Sequence, residues 1–321
     1  MNAGCCPKYP LTRKTRPVIY FQALSLPDAS KTKMVNSPMT KNYKKCLEVT
    51  RVHAKTFYFC SLFLEKEKRL ASYSVYAFSR IVDDEFDLGP GATQLSADKW
   101  KSVINSVYGT GYLEDPVLLT LRETVKKYRV PDSCFLELIA GMEMDITKKN
   151  YSDFSELYVY CYRVAGVMGI IMAMIFGLSG EEAAVFAEKM GVAMQLTNIL
   201  RDIKQDLEMG RVYIPADEMC KYNVDTKKLL SGTVDENFIN LMKYQIRRAR
   251  SYYSEASLGL PLIPDPNARF VAELMGIMYS GILDSIEKNN YDVFSGKLFV
   301  PTLAKVRLAI GLLLKRKGQH L

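Results

Sequence analysis

A chain of 321 residues with 48% hydrophobic and 24% charged side chains can bury a large core and is not disordered overall. Its net charge of +8 resides in residues 1–45, where nine Lys/Arg accompany one acid, Asp28, while the remainder carries 34 charges of each sign. That balanced body speaks against a nucleic-acid partner, and a total of two histidines (His53 and His320) excludes a His-built zinc or iron centre.

Residues 1–40 hold Pro7, Pro10, Pro17, Pro27 and Pro38 without helical periodicity and read as a basic, mostly disordered tail. An acid-poor basic segment also suits an organelle transit peptide, and a true start at Met34 or Met39 would make the tail a start-site artefact. From residue 41 to 321 apolar positions recur every three or four, which predicts a single all-α domain, a helical bundle around a central cavity. Helices are expected at 41–64, 67–86, 96–107, 115–128, 132–148, 153–177, 180–208, 235–258, 267–290 and 300–317. The expected helices 153–177 and 180–208 are apolar on more than one face and are predicted to run through the centre. Near the end, Leu308–Leu314 is the longest uninterrupted apolar run and includes Gly311, so no transmembrane helix is expected. The seven cysteines show no disulfide spacing and read as reduced thiols of a cytoplasmic protein.

Along the chain, the first chemistry-bearing segment is Arg51-Val-His53-Ala54-Lys55-Thr56-Phe57-Tyr58-Phe59. Lys and Thr bind phosphate oxygens, while aromatic rings line an apolar channel or face a carbocation, or simply pack in a core. Ser61, about one turn further, is expected either to line a channel and set its depth or to pack against a neighbouring helix. Next comes Arg80-Ile-Val-Asp83-Asp84-Glu85-Phe86-Asp87, which places Asp83 and Asp87 on one helix face behind the aromatic run that contains Tyr76. In the segment from Tyr158 to Gly169, Tyr160 and neighbouring tyrosines alternate with small residues. Either a second helix packs close there or a long apolar ligand fills the gap.

The last cluster puts Asn198, Asp202 and Asp206 on a single stripe, with Gln195 and Arg201 beside it. Stacked like charges on a helix cost about 0.2–0.5 kcal/mol per pair, so something must offset them. A hard divalent cation is the natural counter-ion, because Mg²⁺ takes one or two carboxylates from each wall and completes its octahedron with water and phosphate oxygens. Two opposed acidic faces would hold a diphosphate between them.

The ordered motifs His-x-Lys-Thr-Phe-Tyr, Arg-x-x-Asp-Asp-x-x-Asp, Tyr-Cys-Tyr-x-Val-Ala-Gly-x-x-Gly, Gln-Leu-Thr-Asn-Ile-Leu-Arg-Asp-x-x-x-Asp and Gly-Arg-Val-Tyr-x-Pro resemble the squalene/phytoene synthase family over roughly Lys41 to Leu314. The resemblance implies an isoprenoid-synthase bundle that joins two prenyl diphosphates head to head. It makes Asp83, Asp84, Asp87, Asn198, Asp202 and Asp206 ligands of two or three Mg²⁺ ions, with Mn²⁺ as a substitute. It lines the substrate site with His53, Ala54, Lys55, Thr56, Tyr76, Arg80, Gln195, Arg201 and Tyr279. Among these Tyr76, Arg80, Arg201 and Tyr279 are expected to be catalytic, together with Tyr160. Phytoene from two geranylgeranyl diphosphates is the expected product. The alternative is squalene, dehydrosqualene or presqualene diphosphate from farnesyl diphosphate, and NADPH is not expected. A class I terpene cyclase and an inactive helical scaffold are the readings outside this chemistry. The basic, leucine-rich final helix is expected to give peripheral membrane contact, which would place the protein in the cytoplasm or at a membrane surface.

Overall fold

The apolar periodicity is realised as fifteen α-helices among the described residues of a computed structural model, which comprise 38–88, 94–178, 180–296 and 298–318. Of the tail expected at 1–40, residues 1–37 lie outside them, as does His320, whereas residues 38–40 already belong to the first helix. In order the helices are α1 (Pro38–His53), α2 (Lys55–Ser61), α3 (Lys66–Leu88), α4 (Gln94–Tyr108), α5 (Pro116–Tyr128), α6 (Asp132–Thr147), α7 (Phe154–Cys161) and α8 (Val167–Phe176). They continue with α9 (Glu181–Arg201), α10 (Ile203–Glu208), α11 (Ala216–Lys221), α12 (Thr226–Leu230), α13 (Glu236–Ser257), α14 (Pro266–Lys288) and α15 (Thr302–Gly318). Among the described residues the β-structure is one isolated parallel bridge between Asn150 and Val212.

Aspartates set many of the helix starts. Asp115, Asp153, Asp225, Asp235 and Asp265 each accept hydrogen bonds from the first free backbone N–H groups of α5, α7, α12, α13 and α14. Each such cap contributes about 1 kcal/mol by satisfying donors that have no partner within the helix. Pro116 and Pro266 follow two of these caps, where a missing N–H costs nothing. Gly177, with φ of 89°, ends α8 in the left-handed region.

Helix α9 is central. It packs on α7, α8, α13 and α14, while α3 packs on α1, α5, α6 and α8. The expected helix 153–177 is continuous but contains one wide π turn, Tyr162–Gly166, between α7 and α8. The span Phe154–Phe176 is long and apolar enough to cross a membrane by length and composition, contrary to the reading of the sequence. More than half of it is buried within the bundle, so it serves here as a core helix.

The small residues of this region answer the question the sequence left open. A Cβ on Gly169 would lie 2.2 Å from the Ala187 carbonyl oxygen, and one on Gly191 would lie 2.1 Å from that of Ala165. These glycines bring the backbones of α8 and of the π turn before it against α9, so the gap is filled by a helix at those positions. Cys46, Cys60, Cys134 and Cys161 are buried free thiols and Cys220 is an exposed one.

Candidate active site

Along the second half of α3, Ala77, Phe78, Val82 and Phe86 are buried in the core. Tyr76, Arg80, Asp83 and Asp84, on the other stripe, are only half-buried. Arg80 donates from Nη1 to Asp83 Oδ2 at 2.8 Å and from Nη2 to Asp84 Oδ1. Its Nε is buried without a hydrogen-bond partner, a donor left over for an anion. The backbone of Asp87 belongs to α3, but its side chain lies outside the described residues.

The second cluster is built where α9 stops. The expected helix 180–208 is broken at Asp202, whose φ of −104° and ψ of 16° leave the α region. The acids nevertheless keep their spacing, because Asp202 N bonds Asn198 O at 2.8 Å and Asp206 N bonds Asp202 O at 3.0 Å across the break. Arg201 grips Asp202 with a fork, Nε to Oδ1 at 2.8 Å and Nη2 to Oδ2. Asn198 Nδ2 donates to Gln195 Oε1 at 3.4 Å. Burial, and then the charge of Asp202, push the Asp206 carboxyl up to about 7, against a smaller opposing pull from Arg211 and Arg201.

Tyrosines connect the two clusters. The Tyr279 phenol, on α14, is held above its ordinary range by burial; Arg201 opposes this, and Cys60 and Asp202 add to it. Tyr76 is raised by burial and then by Tyr279, with Arg80, Asp83 and Asp84 as its further charged neighbours. Tyr279 thus lies within electrostatic reach of both Tyr76 on α3 and Arg201 at the end of α9. The Tyr76 ring centroid lies 5.8 Å from that of Phe57 on α2. Both phenols therefore stay protonated around neutrality and can donate.

The turn between α1 and α2 carries the remaining expected residues. His53 and Lys55 are exposed, Ala54 forms the junction, and Thr56 is half-buried. Thr56 Oγ1 accepts a 2.7 Å hydrogen bond from Lys305 Nζ on α15. That lysine, one of the basic residues of the last helix, faces inward. Of the two places expected for Ser61, the packed one is observed. The serine is fully buried, donates to Tyr58 O and shares a 2.7 Å hydrogen bond with Tyr73 Oη, so its surroundings are packed protein.

Tyr160 falls in a separate layer. Its hydroxyl donates to Asp145 Oδ2 at 3.0 Å, Tyr213 donates to Asp145 Oδ1 at 2.7 Å, and the Tyr160 and Tyr213 rings stack at 4.9 Å. Asp145 is one of the charges that raise Asp206, so this network stands behind the second cluster. Asp145 and this role of Tyr213 were missed in the sequence. A lone aspartate near a helix end carries no signal, and Tyr213 was visible only as part of Gly-Arg-Val-Tyr-x-Pro.

Among the described residues no three or more His, Cys, Asp or Glu side chains converge into a group that would hold a metal. The donor set nonetheless fits a hard cation. Asp202 and Asp206 are close enough for one to raise the other's proton affinity, Asn198 adds an amide oxygen in register, and the candidate donors are oxygen atoms throughout.

Comparison with known proteins bears on this arrangement. The family model described as squalene/phytoene synthase matches residues 50–304. The phytoene synthase of Arthrospira platensis is 34% identical over 295 residues, covering 86% of this chain and 94% of the relative. The 15-cis-phytoene synthase of Synechocystis sp. is 34% identical over 311 residues, covering 92% and 90%. Among solved structures, a dehydrosqualene synthase in complex with ligand superposes with a TM-score of 0.81 at 27% identity, over 87% of this chain and 98% of that one. The motifs, the all-helical architecture and these matches agree: the chain belongs to the squalene/phytoene synthase family.

Proposed function

We propose that this prenyltransferase joins two geranylgeranyl diphosphates head to head, through a cyclopropyl diphosphate, to give phytoene and two diphosphates. The observation that carries this reading is the pair of arginine-gripped acid clusters, Arg80 with Asp83 and Asp84, and Arg201 with Asp202, connected through Tyr76 and Tyr279. The relatives named phytoene synthase support the C20 substrate. The ligand-bound dehydrosqualene synthase keeps farnesyl diphosphate as the second reading.

The division of labour follows from the geometry. Asp83, Asp84, Asp202, Asp206 and Asn198 would hold Mg²⁺, as would Asp87. When bound, the metal would neutralise charge that develops on the departing diphosphates. Arg80 and Arg201 would turn from their carboxylates to diphosphate oxygens, with the unpartnered Arg80 Nε already available. His53, Ala54, Lys55, Thr56 and Gln195 would complete the polar wall. Tyr76 and Tyr279, protonated at neutral pH, would donate to the leaving groups, while their rings and that of Phe57 face the allylic cation. Half-buried Met168, Met172, Met194 and Met275 would line the space for the prenyl chains and exclude water. Tyr160 would act through Asp145 in supporting Asp206, because its hydroxyl is already engaged.

Membrane contact belongs to the same reading. On α15 the apolar residues Leu303, Val306, Ile310 and Leu314 are exposed, as is Phe299 just before it, and Arg307, Lys315 and Arg316 accompany them. Such a face would settle peripherally on an anionic lipid surface, where long-chain substrates and products reside. The protein would then work in the cytoplasm or at a membrane surface. Incubating the purified protein with Mg²⁺ and a mixture of geranylgeranyl and farnesyl diphosphates, with and without NADPH, tests the substrate assignment by product mass. Preferential formation of a C40 hydrocarbon independent of NADPH is expected; dominant C30 products would favour the second reading.

A further inference from the structure

Helix α15 is amphipathic in an inverted sense. Its outer face carries the exposed Leu303, Val306, Ile310 and Leu314, whereas Lys305 occupies the inner stripe with the buried Ala309 and Leu312, at intervals of four and three residues. Turning a lysine toward the protein while leaving leucines in solvent runs against the ordinary cost of desolvating an ammonium. Nothing nearby neutralises it: among the described residues Lys305 makes no ion pair, and its polar partner is the neutral Thr56 hydroxyl at 2.7 Å. Burial lowers the proton affinity of Lys305, Cys60 opposes this, and a second cation, Lys55, lowers it further. Lys55 and Thr56 are the first two residues of α2, the Lys305 ammonium meets them at Thr56, and the next residue, Phe57, has its ring 5.8 Å from that of Tyr76.

We propose that Lys305 is a substrate-binding residue of this site, supplying from the last helix an ammonium that contacts the diphosphate of one prenyl substrate together with Lys55 and Thr56. The Thr56 hydroxyl holds that ammonium in place until an anion arrives. The diphosphate then accepts a charge-assisted hydrogen bond that a neutral hydroxyl only approximates. This inference rests on the prenyl diphosphate reading above.

Its test uses the full chain and inorganic diphosphate, whose binding in the presence of Mg²⁺ is measured by calorimetry for the wild type, Lys305→Gln and Lys305→Arg. Gln keeps a donor for Thr56 and removes the charge, so a merely structural Lys305 would tolerate it. Loss of one charge-assisted hydrogen bond corresponds to roughly a ten-fold or greater fall in affinity. We expect that fall in Lys305→Gln, a matching rise in KM for prenyl diphosphate, recovery of most of the affinity in Lys305→Arg, and near-constant melting temperatures. Wild-type affinity in Lys305→Gln would overturn the assignment and leave the prenyl diphosphate reading standing. A wild-type protein that neither binds diphosphate nor turns over a prenyl diphosphate would overturn both.

Discussion

At the scale of single residues, the acids of the second cluster are in conflict with their own burial. Asp206 illustrates the conflict, because burial and Asp202 raise its carboxyl from the ordinary 3.8 to about 7. The folded state then binds a proton that the unfolded state releases. For this group stability is therefore full below pH 3.8 and is lost as pH rises through about 7. At pH 8 without metal, Asp206→Asn should raise stability by about 2–4 kcal/mol, and the gain should vanish near pH 4, as urea unfolding at the two pH values would show. The same substitution should nearly abolish turnover. Asp83→Asn and Asp202→Asn should likewise reduce activity by orders of magnitude while circular dichroism stays helical. Near-normal turnover in both would remove the metal-and-diphosphate role assigned to the two clusters.

At the scale of elements, the long helices were legible because each presents a sustained apolar stripe between clear punctuation. Pro116, Asp132, Asp235 and Pro266 mark starts within a residue or two of those expected. The breaks inside helices were not legible. Ala54, Asp202 and the wide turn at Tyr162–Gly166 interrupt helices whose apolar pattern continues unbroken, since the cause is tertiary packing and the site itself. Helices α11 and α12 span six and five residues, too few to show a period. The candidate site followed a similar division: motif residues stood out, whereas Lys305 looked like one more surface lysine and Asp145 like an ordinary helix residue. The contact of α9 with α8 and the π turn before it gives an element-scale prediction. Gly169→Ala and Gly191→Ala each drive a methyl group into a carbonyl oxygen just over 2 Å away, so one backbone must move. Each should destabilise by at least ~1–3 kcal/mol, measurable as a lowered urea midpoint, and the two effects should be non-additive because they strain one interface.

For the whole molecule, the bundle sets two polar clusters on helices that meet a common tyrosine pair, and closes one side with a helix whose outer face is apolar. That outer face predicts association with anionic vesicles. Replacing Leu303, Ile310 and Leu314 with Ser should abolish flotation with such vesicles while leaving the fold and turnover of detergent-dispersed substrate intact; unchanged flotation would assign the contact to another surface. The central claim is that both clusters serve one reaction on two substrates. It is tested most directly by supplying geranylgeranyl diphosphate as the sole prenyl substrate with Mg²⁺ and measuring inorganic diphosphate released against C40 hydrocarbon formed. The account predicts two diphosphates for each phytoene, at a constant ratio through the time course. Release of diphosphate accompanied by C20 alcohol, with no C40 product, would contradict it.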